Sequence, residues 1–241
     1  MKKILFATTL LTAMAASGMA FAQTTPVTAQ PAPVTAPADL TFALTDDAPV
    51  GKAAGTFMIR GRVIGVIPLN SSSSISGLPG GGTVSTSNQV APEVDFSYFL
   101  TDNIALELIA ATTKHDLYAN GPALGNNYHV GSTWVLPPTL LAQYHFMPHE
   151  RFSPYVGAGL NVTFFYATSA AGNAVKQLAM SNNVGAAVQA GFDYNFSGHW
   201  FANFDVKQIF LNTTASIDGG AIHAHDALNP LVVGAGVGYR F

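Results

Sequence analysis

Few residues in this chain can do chemistry. Asp, Glu, Lys and Arg make up 10% of its 241 residues, against the ~25% expected of a soluble globular domain. Several fall two apart, as in Arg60 and Arg62, Glu93 and Asp95, and Asp205 and Lys207. That spacing puts both members on one face of a strand. On a buried face, opposite charges must pair, because an isolated one is very costly. His223-Ala224-His225-Asp226 brings together two imidazoles and a carboxylate, ligand types zinc accepts. The spacing is not that of a closed structural site, and no metal is expected. His115, His129, His149 and His199 stand singly. The absence of cysteine removes disulfides, thiolate zinc sites and cysteine nucleophiles. A lipid-modifying enzyme needs a nucleophile and base together at the membrane face. No serine–histidine pair supplies them, since His145 and Ser97 share only a height, so neither enzyme activity nor a cofactor is expected. A net charge of −3 offers no basic footprint for nucleic acid.

The elements that must position these residues read as strands. From Gly55 onward the dominant period is two. In the first segment Met58, Arg60, Arg62, Ile64 and Val66 share one face, while Phe57, Ile59, Val63 and Ile67 share the other with two glycines. Seven further segments repeat the pattern, at 90–99, 104–113, 139–146, 155–165, 183–196, 199–211 and 231–241. Each has one predominantly apolar face, such as Val94, Phe96 and Tyr98, or Leu106 and Leu108, or Val233, Ala235 and Val237. The opposite face carries polar residues or glycine, including Glu107, Gln143, Asn161, Asp193 and Gly236. Each segment has about the 9–11 residues a tilted strand needs to cross a bilayer. Backbone groups in lipid must all be paired internally, so such strands cross only as a closed ring. The fold class is therefore all-β, an eight-stranded antiparallel transmembrane barrel.

The rest of the chain agrees with that orientation. Residues 1–22 have a basic start, an apolar stretch and Ala20-Phe21-Ala22, the pattern of a secretory signal peptide cleaved near Ala22. Residues 23–54, rich in Pro, Ala and Thr, are expected to form an extended or disordered periplasmic arm. The barrel is expected over 55–241. Connections at 69–89, 114–136, 166–182 and 212–230 are long and read as outer loops; those at 100–103, 147–154 and 197–198 are short periplasmic turns. Tyr98, Phe99, Phe146, Tyr194, Phe196, Trp200, Tyr239 and Phe241 would form the lower aromatic girdle. Tyr239 and Phe241, closing the last strand, would also signal to the barrel assembly machinery.

Inward residues sort by height. Arg60, Arg62, Glu93, Asp95, Glu107, His145, Asp193, Asp205 and Arg240 lie toward the periplasm and should pair into a polar plug, since an eight-stranded barrel is barely wide enough for its own side chains. Toward the outside lie Ile64, Val66, Ile109, Ala111, Leu141, Ile209, Leu211 and Val232, with Lys207 the single charge. An apolar cavity opening outward over a polar floor suits a small apolar solute. A solid core and a barrel whose surface loops bind phage, bacteriocin or host surfaces are the competing readings.

The runs Thr101-Asp102-Asn103-Ile104, Leu136-Pro137-Pro138-Thr139 with Ala142-Gln143, Pro154-Tyr155-Val156-Gly157-Ala158-Gly159 and Gly238-Tyr239-Arg240-Phe241 resemble the OmpW family of small outer-membrane barrels. The resemblance implies a narrow hydrophobic channel that helps small apolar molecules cross the outer membrane of a Gram-negative bacterium. It also implies a constriction at Ile109, which agrees with the family pattern, and at Lys207, where relatives carry tryptophan. Lys207 is expected to pair with Glu107 or Asp205, or to snorkel upward. Pro137 and Pro138 remove two adjacent backbone donors, which weakens strand pairing; they mark either a lateral seam into the bilayer between the third and fourth segments or simply the end of a loop.

Overall fold

The structure is a computed structural model that describes residues 51–69, 72–77, 79–172, 175–220 and 222–241. The signal peptide, and the arm up to residue 50, lie outside the described residues. The strands are β1 (Phe57–Ile67), β2 (Ser72–Ser76), β3 (Thr83–Thr86), β4 (Gln89–Phe99) and β5 (Ile104–Ala111). There follow β6 (Thr113–Gly121), β7 (Gly125–Leu136), β8 (Thr139–His145), β9 (Phe152–Ala170) and β10 (Leu178–Met180). The last five are β11 (Asn183–Ser197), β12 (Trp200–Phe210), β13 (Asn212–Ile217), β14 (Ile222–Ala227) and β15 (Leu231–Arg240).

Eight of these close a ring. Antiparallel neighbours run β1, β4, β5, β8, β9, β11, β12, β15, and β15 pairs back onto β1 from Met58 opposite Arg240 to Ile67 opposite Leu231. The alternation sets which face is inside. Val63, Val90 and Leu160 are 63%, 74% and 61% exposed, while Arg60, Asp95 and Glu107 are wholly buried. A water-soluble protein would show the reverse; in hydrocarbon an apolar outer face and a closed hydrogen-bond ladder are what is stable. Glycine on the inner face makes room for the largest charged side chains. A Cβ at Gly236 would sit 2.9 Å from Arg62 Cγ, and one at Gly191 would sit 2.7 Å from the Tyr155 hydroxyl.

The short turns fall where the sequence puts them, and that at 100–103 closes with the amides of Leu100 and Thr101 both donating to the Ile104 carbonyl. The long connections differ from expectation. They are strands rather than irregular loops: β2, β3, β6, β7, β10, β13 and β14 continue the wall outward, in the orders β3-β6-β7-β9 and β10-β13-β14-β2. Their alternation has the opposite phase. Ile75, Leu117, Ala119, Val130, Ala215, Ile217 and Ala224 point inward as a second apolar core, while Ser74, Lys114, His223 and His225 point out and are exposed. Water rather than lipid surrounds this part, so the polar face turns outward.

Phe99 is another correction. It packs inside with Met58, Ala105 and Phe201, not in the outer girdle, because it is the odd member of a strand whose even positions face lipid.

Candidate functional site

The lower interior is a continuous charged network. Arg60 and Arg62, two apart on β1, reach different partners. Arg60 Nη1 lies 3.0 Å from Glu107 Oε1 and donates to Ser97 Oγ at 2.6 Å, while its Nη2 lies 3.1 Å from Asp193 Oδ2. Arg62 sits among three carboxylates, Glu93 at 2.7 Å, Asp95 at 2.7 Å and Asp205 at 2.6 Å. Glu107 also accepts from Gln143 at 2.8 Å and Gln189 at 2.6 Å. Arg240 makes a cation–π contact with Phe201, 5.5 Å from its ring centroid. His145 joins the network through Gln143, 3.1 Å from its Nε2.

One member was missed by the sequence. Lys52, assigned there to the arm, is wholly buried. Its Nζ donates to Asp193 Oδ2 at 2.8 Å and Ser153 Oγ at 2.7 Å, and lies 2.8 Å from His145 Nδ1. The segment is tied in by the Lys52 amide donating to the Pro148 carbonyl at 2.8 Å and the Gly55 amide to that of Phe99 at 2.8 Å. Burial draws the Lys52 ammonium down to about 8 against the opposing pull of Asp193. The signal was available in the charge inventory. The buried acids are Glu93, Asp95, Glu107, Asp193 and Asp205; Arg60, Arg62, Arg240 and Lys207 leave one unmatched, and Lys52 balances the set.

Above this floor the interior turns apolar. Ile64, Ile109, Leu141, Ile209, Leu211 and Val232 form one buried cluster, with Val66 packed against it. All except Leu141 line a cavity of about 70 Å³; Leu141 is buried in the cluster without facing the space. A second cavity of about 30 Å³ lies in the outer extension and shares Thr86, Leu117, Met180 and Leu228 with the first. Lys207 and Glu93 are the charged residues lining the larger cavity, apart from His115. Lys207 Nζ donates to Glu93 Oε1 at 3.4 Å and Oε2 at 3.2 Å. Its partner is therefore neither Glu107 nor Asp205.

The same cavity reaches Pro137 and Thr139. Ile109 pairs with Thr139 on β8, and Thr113 with Val135 on β7. Residues 110–112 thus face 136–138, and among the described residues no ladder pair joins those three positions. On the other side the strand stays attached: the Val162 amide of β9 donates to the Pro138 carbonyl at 2.9 Å, and Asn161 Nδ2 to that of Pro137 at 3.1 Å. The ladder skips Pro137 and Pro138 on this side too, but these two bonds hold them to β9, whereas no such bond is described toward β5. Outside the break, the Thr112 and Tyr166 hydroxyls are 2.7 Å apart.

His223 and His225 lie on the outer face of β14, beside Ser216 and Thr214, and no metal-binding cluster occurs among the described residues.

A closed ring with an apolar outer band, short turns at one end and extended hairpins at the other defines an outer-membrane β-barrel of a Gram-negative bacterium. The OmpW family profile matches residues 53–241. An uncharacterized outer-membrane protein, y4mB, of Sinorhizobium fredii is 45% identical over 86% of this chain and 90% of its own length. Outer membrane protein W of Vibrio cholerae is 34% identical over 78% of this chain and 89% of its own. The crystal structure of OprG from Pseudomonas aeruginosa superposes with a TM-score of 0.73 at 31% identity, covering 79% of this chain and 98% of that one. The chain belongs to the OmpW family.

Proposed function

We propose that this barrel admits small apolar molecules from outside and releases them sideways into the bilayer. The observation that carries the reading is the juxtaposition of an apolar cavity with the three-residue break in the wall at Pro137-Pro138. Passage straight through is opposed by the floor. A solute crossing it would have to part Arg62 from three carboxylates and Arg60 from two, and separating a buried pair costs about 3–5 kcal/mol. Parting 110–112 from 136–138 breaks no ladder hydrogen bond and exposes apolar surface to lipid, which does not resist it. The sideways route is the cheaper one.

Magnitude also says that the wall must move. A cavity of about 70 Å³ is smaller than the roughly 150 Å³ that accommodates benzene in a protein core. That Ile109 and Lys207 both face the narrow space above the floor supports reading them as its constriction. Replacing the proline pair, Pro137→Val with Pro138→Thr, restores two backbone donors and should knit the seam to β5. Uptake of an apolar solute into vesicles carrying this variant is expected to slow relative to wild type at equal protein; unchanged uptake would remove the seam from the account.

A further inference from the structure

The Lys207–Glu93 pair at the base of the cavity has capacity that the barrel itself does not use. An ammonium carries three N–H donors. The hydrogen bonds described for Lys207 go to one carboxylate, at 3.4 and 3.2 Å, longer than the 2.7–2.9 Å usual for a charge-assisted N–H···O bond. Glu93 is held more closely by Arg62, at 2.7 Å. Lys207 is therefore the looser partner, and both residues line the space between apolar walls.

Charge decides which head group fits. The buried acids and bases of the interior balance. Around Arg62 and Lys207 lie three carboxylates, of Glu93, Asp95 and Asp205, so a carboxylate head would add a fourth anion to two cations. An ammonium head would meet a Glu93 already shared by Arg62 and Lys207. A neutral oxygen adds no charge. A hydroxyl can accept from Lys207 Nζ and donate to Glu93.

We infer that Lys207 and Glu93 form a head-group dock that makes the cavity selective for neutral oxygenated amphiphiles, an apolar body ending in one hydroxyl or carbonyl, over pure hydrocarbons and over charged amphiphiles. The inference rests on the apolar-uptake reading and sharpens its substrate class. Lys207 and Glu93 set specificity, while the tail is held by Ile64, Ile109 and Ile209.

The test is a competition in lipid nanodiscs using the full chain and four probes of matched length: undecane, decanol, decanoate and decylammonium. Comparing ratios between proteins cancels the different hydration of the probes. The decanol-to-undecane affinity ratio is expected to fall about tenfold in Lys207→Met, a change of about 1.4 kcal/mol, and to be largely kept in Lys207→Arg. In Glu93→Gln, which frees Lys207, preference should move toward decanoate. A ratio unmoved in Lys207→Met, or a wild type that favours decanoate or decylammonium over decanol, overturns the dock. If Lys207→Met does not fold, judged by heat-shifted gel migration, Lys207→Arg and Glu93→Gln decide by the same ratios. Undecane binding with an unmoved ratio defeats only this inference; no binding of either undecane or decanol defeats the uptake reading with it.

Discussion

The two halves of the barrel interior solve the same problem in opposite ways. Both are lined by residues pointing inward from continuous strands, and both must fill a space barely wider than a side chain. The lower half fills it with directional contacts, Arg62 to three carboxylates and Lys52 to Asp193, Ser153 and His145. The upper half fills it with Ile64, Ile109, Ile209 and Val232 and leaves a cavity. Ion pairs resist separation because each partner left alone is a buried charge. Apolar contacts are non-directional and reform after displacement. On the proposed reading the lower half stays shut and the upper half yields.

If that contrast is right, substitutions below should change stability and those above should change traffic. Arg62→Met strands Asp95 and Asp205, leaves Glu93 with Lys207 alone, and is expected to lower the unfolding free energy by about 3–5 kcal/mol, read from urea unfolding in vesicles. A loss under about 1 kcal/mol would mean that the floor is wet and loosely held. Ile109→Trp overfills the cavity: a stability cost of about 1–3 kcal/mol from strain should accompany apolar uptake slowed about tenfold or more, a barrier increase of about 1.4 kcal/mol. Normal uptake in that variant would place the route elsewhere.

Lys52→Met should be milder than Arg62→Met, about 1 kcal/mol. Asp193 keeps Arg60 and the Asn203 amide at 2.8 Å, and burial already offsets much of the Lys52 attraction. The pH dependence has a definite sign. Its pKa is about 8 in the barrel against an ordinary 10.5, so the unfolded chain holds the extra proton between those values. The Lys52 contribution to stability therefore rises with pH across that window, and the rise should vanish in Lys52→Met. The smallest effect is expected at the seam's outer face. Tyr166→Phe removes the exposed bond to Thr112 and should lower stability by only about 0.5 kcal/mol while modestly speeding uptake.

How much was legible in the sequence follows from where the surroundings change. Within the bilayer the apolar-outside rule identified the inward placement of Arg60, Asp95, Glu107, Leu141, Asp205 and Arg240, because lipid imposes a strict period of two. Beyond it the rule inverts. At Thr113 the strand continues, but Lys114 and Asp116 face water and Leu117 and Ala119 face inward, so a search for the lipid pattern ends early and calls the rest a loop. Lys52 was hidden for a different reason. It precedes the first strand in a stretch without periodicity, and only the unmatched fifth acid hinted at it. The partner of Lys207 depended on strand stagger, which alternation does not contain. The proline break was readable as missing donors between the third and fourth segments, 104–113 and 139–146, yet only the register of β5 against β8 showed its length.

The central claim is sideways release, and the chain's lack of cysteine permits a direct test. In the continued register residue 112 faces 136, so Thr112→Cys with Leu136→Cys places two thiols across the seam and leaves both prolines in place. Uptake of an apolar solute should be rapid with the pair reduced, fall sharply when a disulfide closes it, and return on reduction. Uptake at the same rate in the oxidised and reduced protein, with the cross-link verified by mass, would contradict the account.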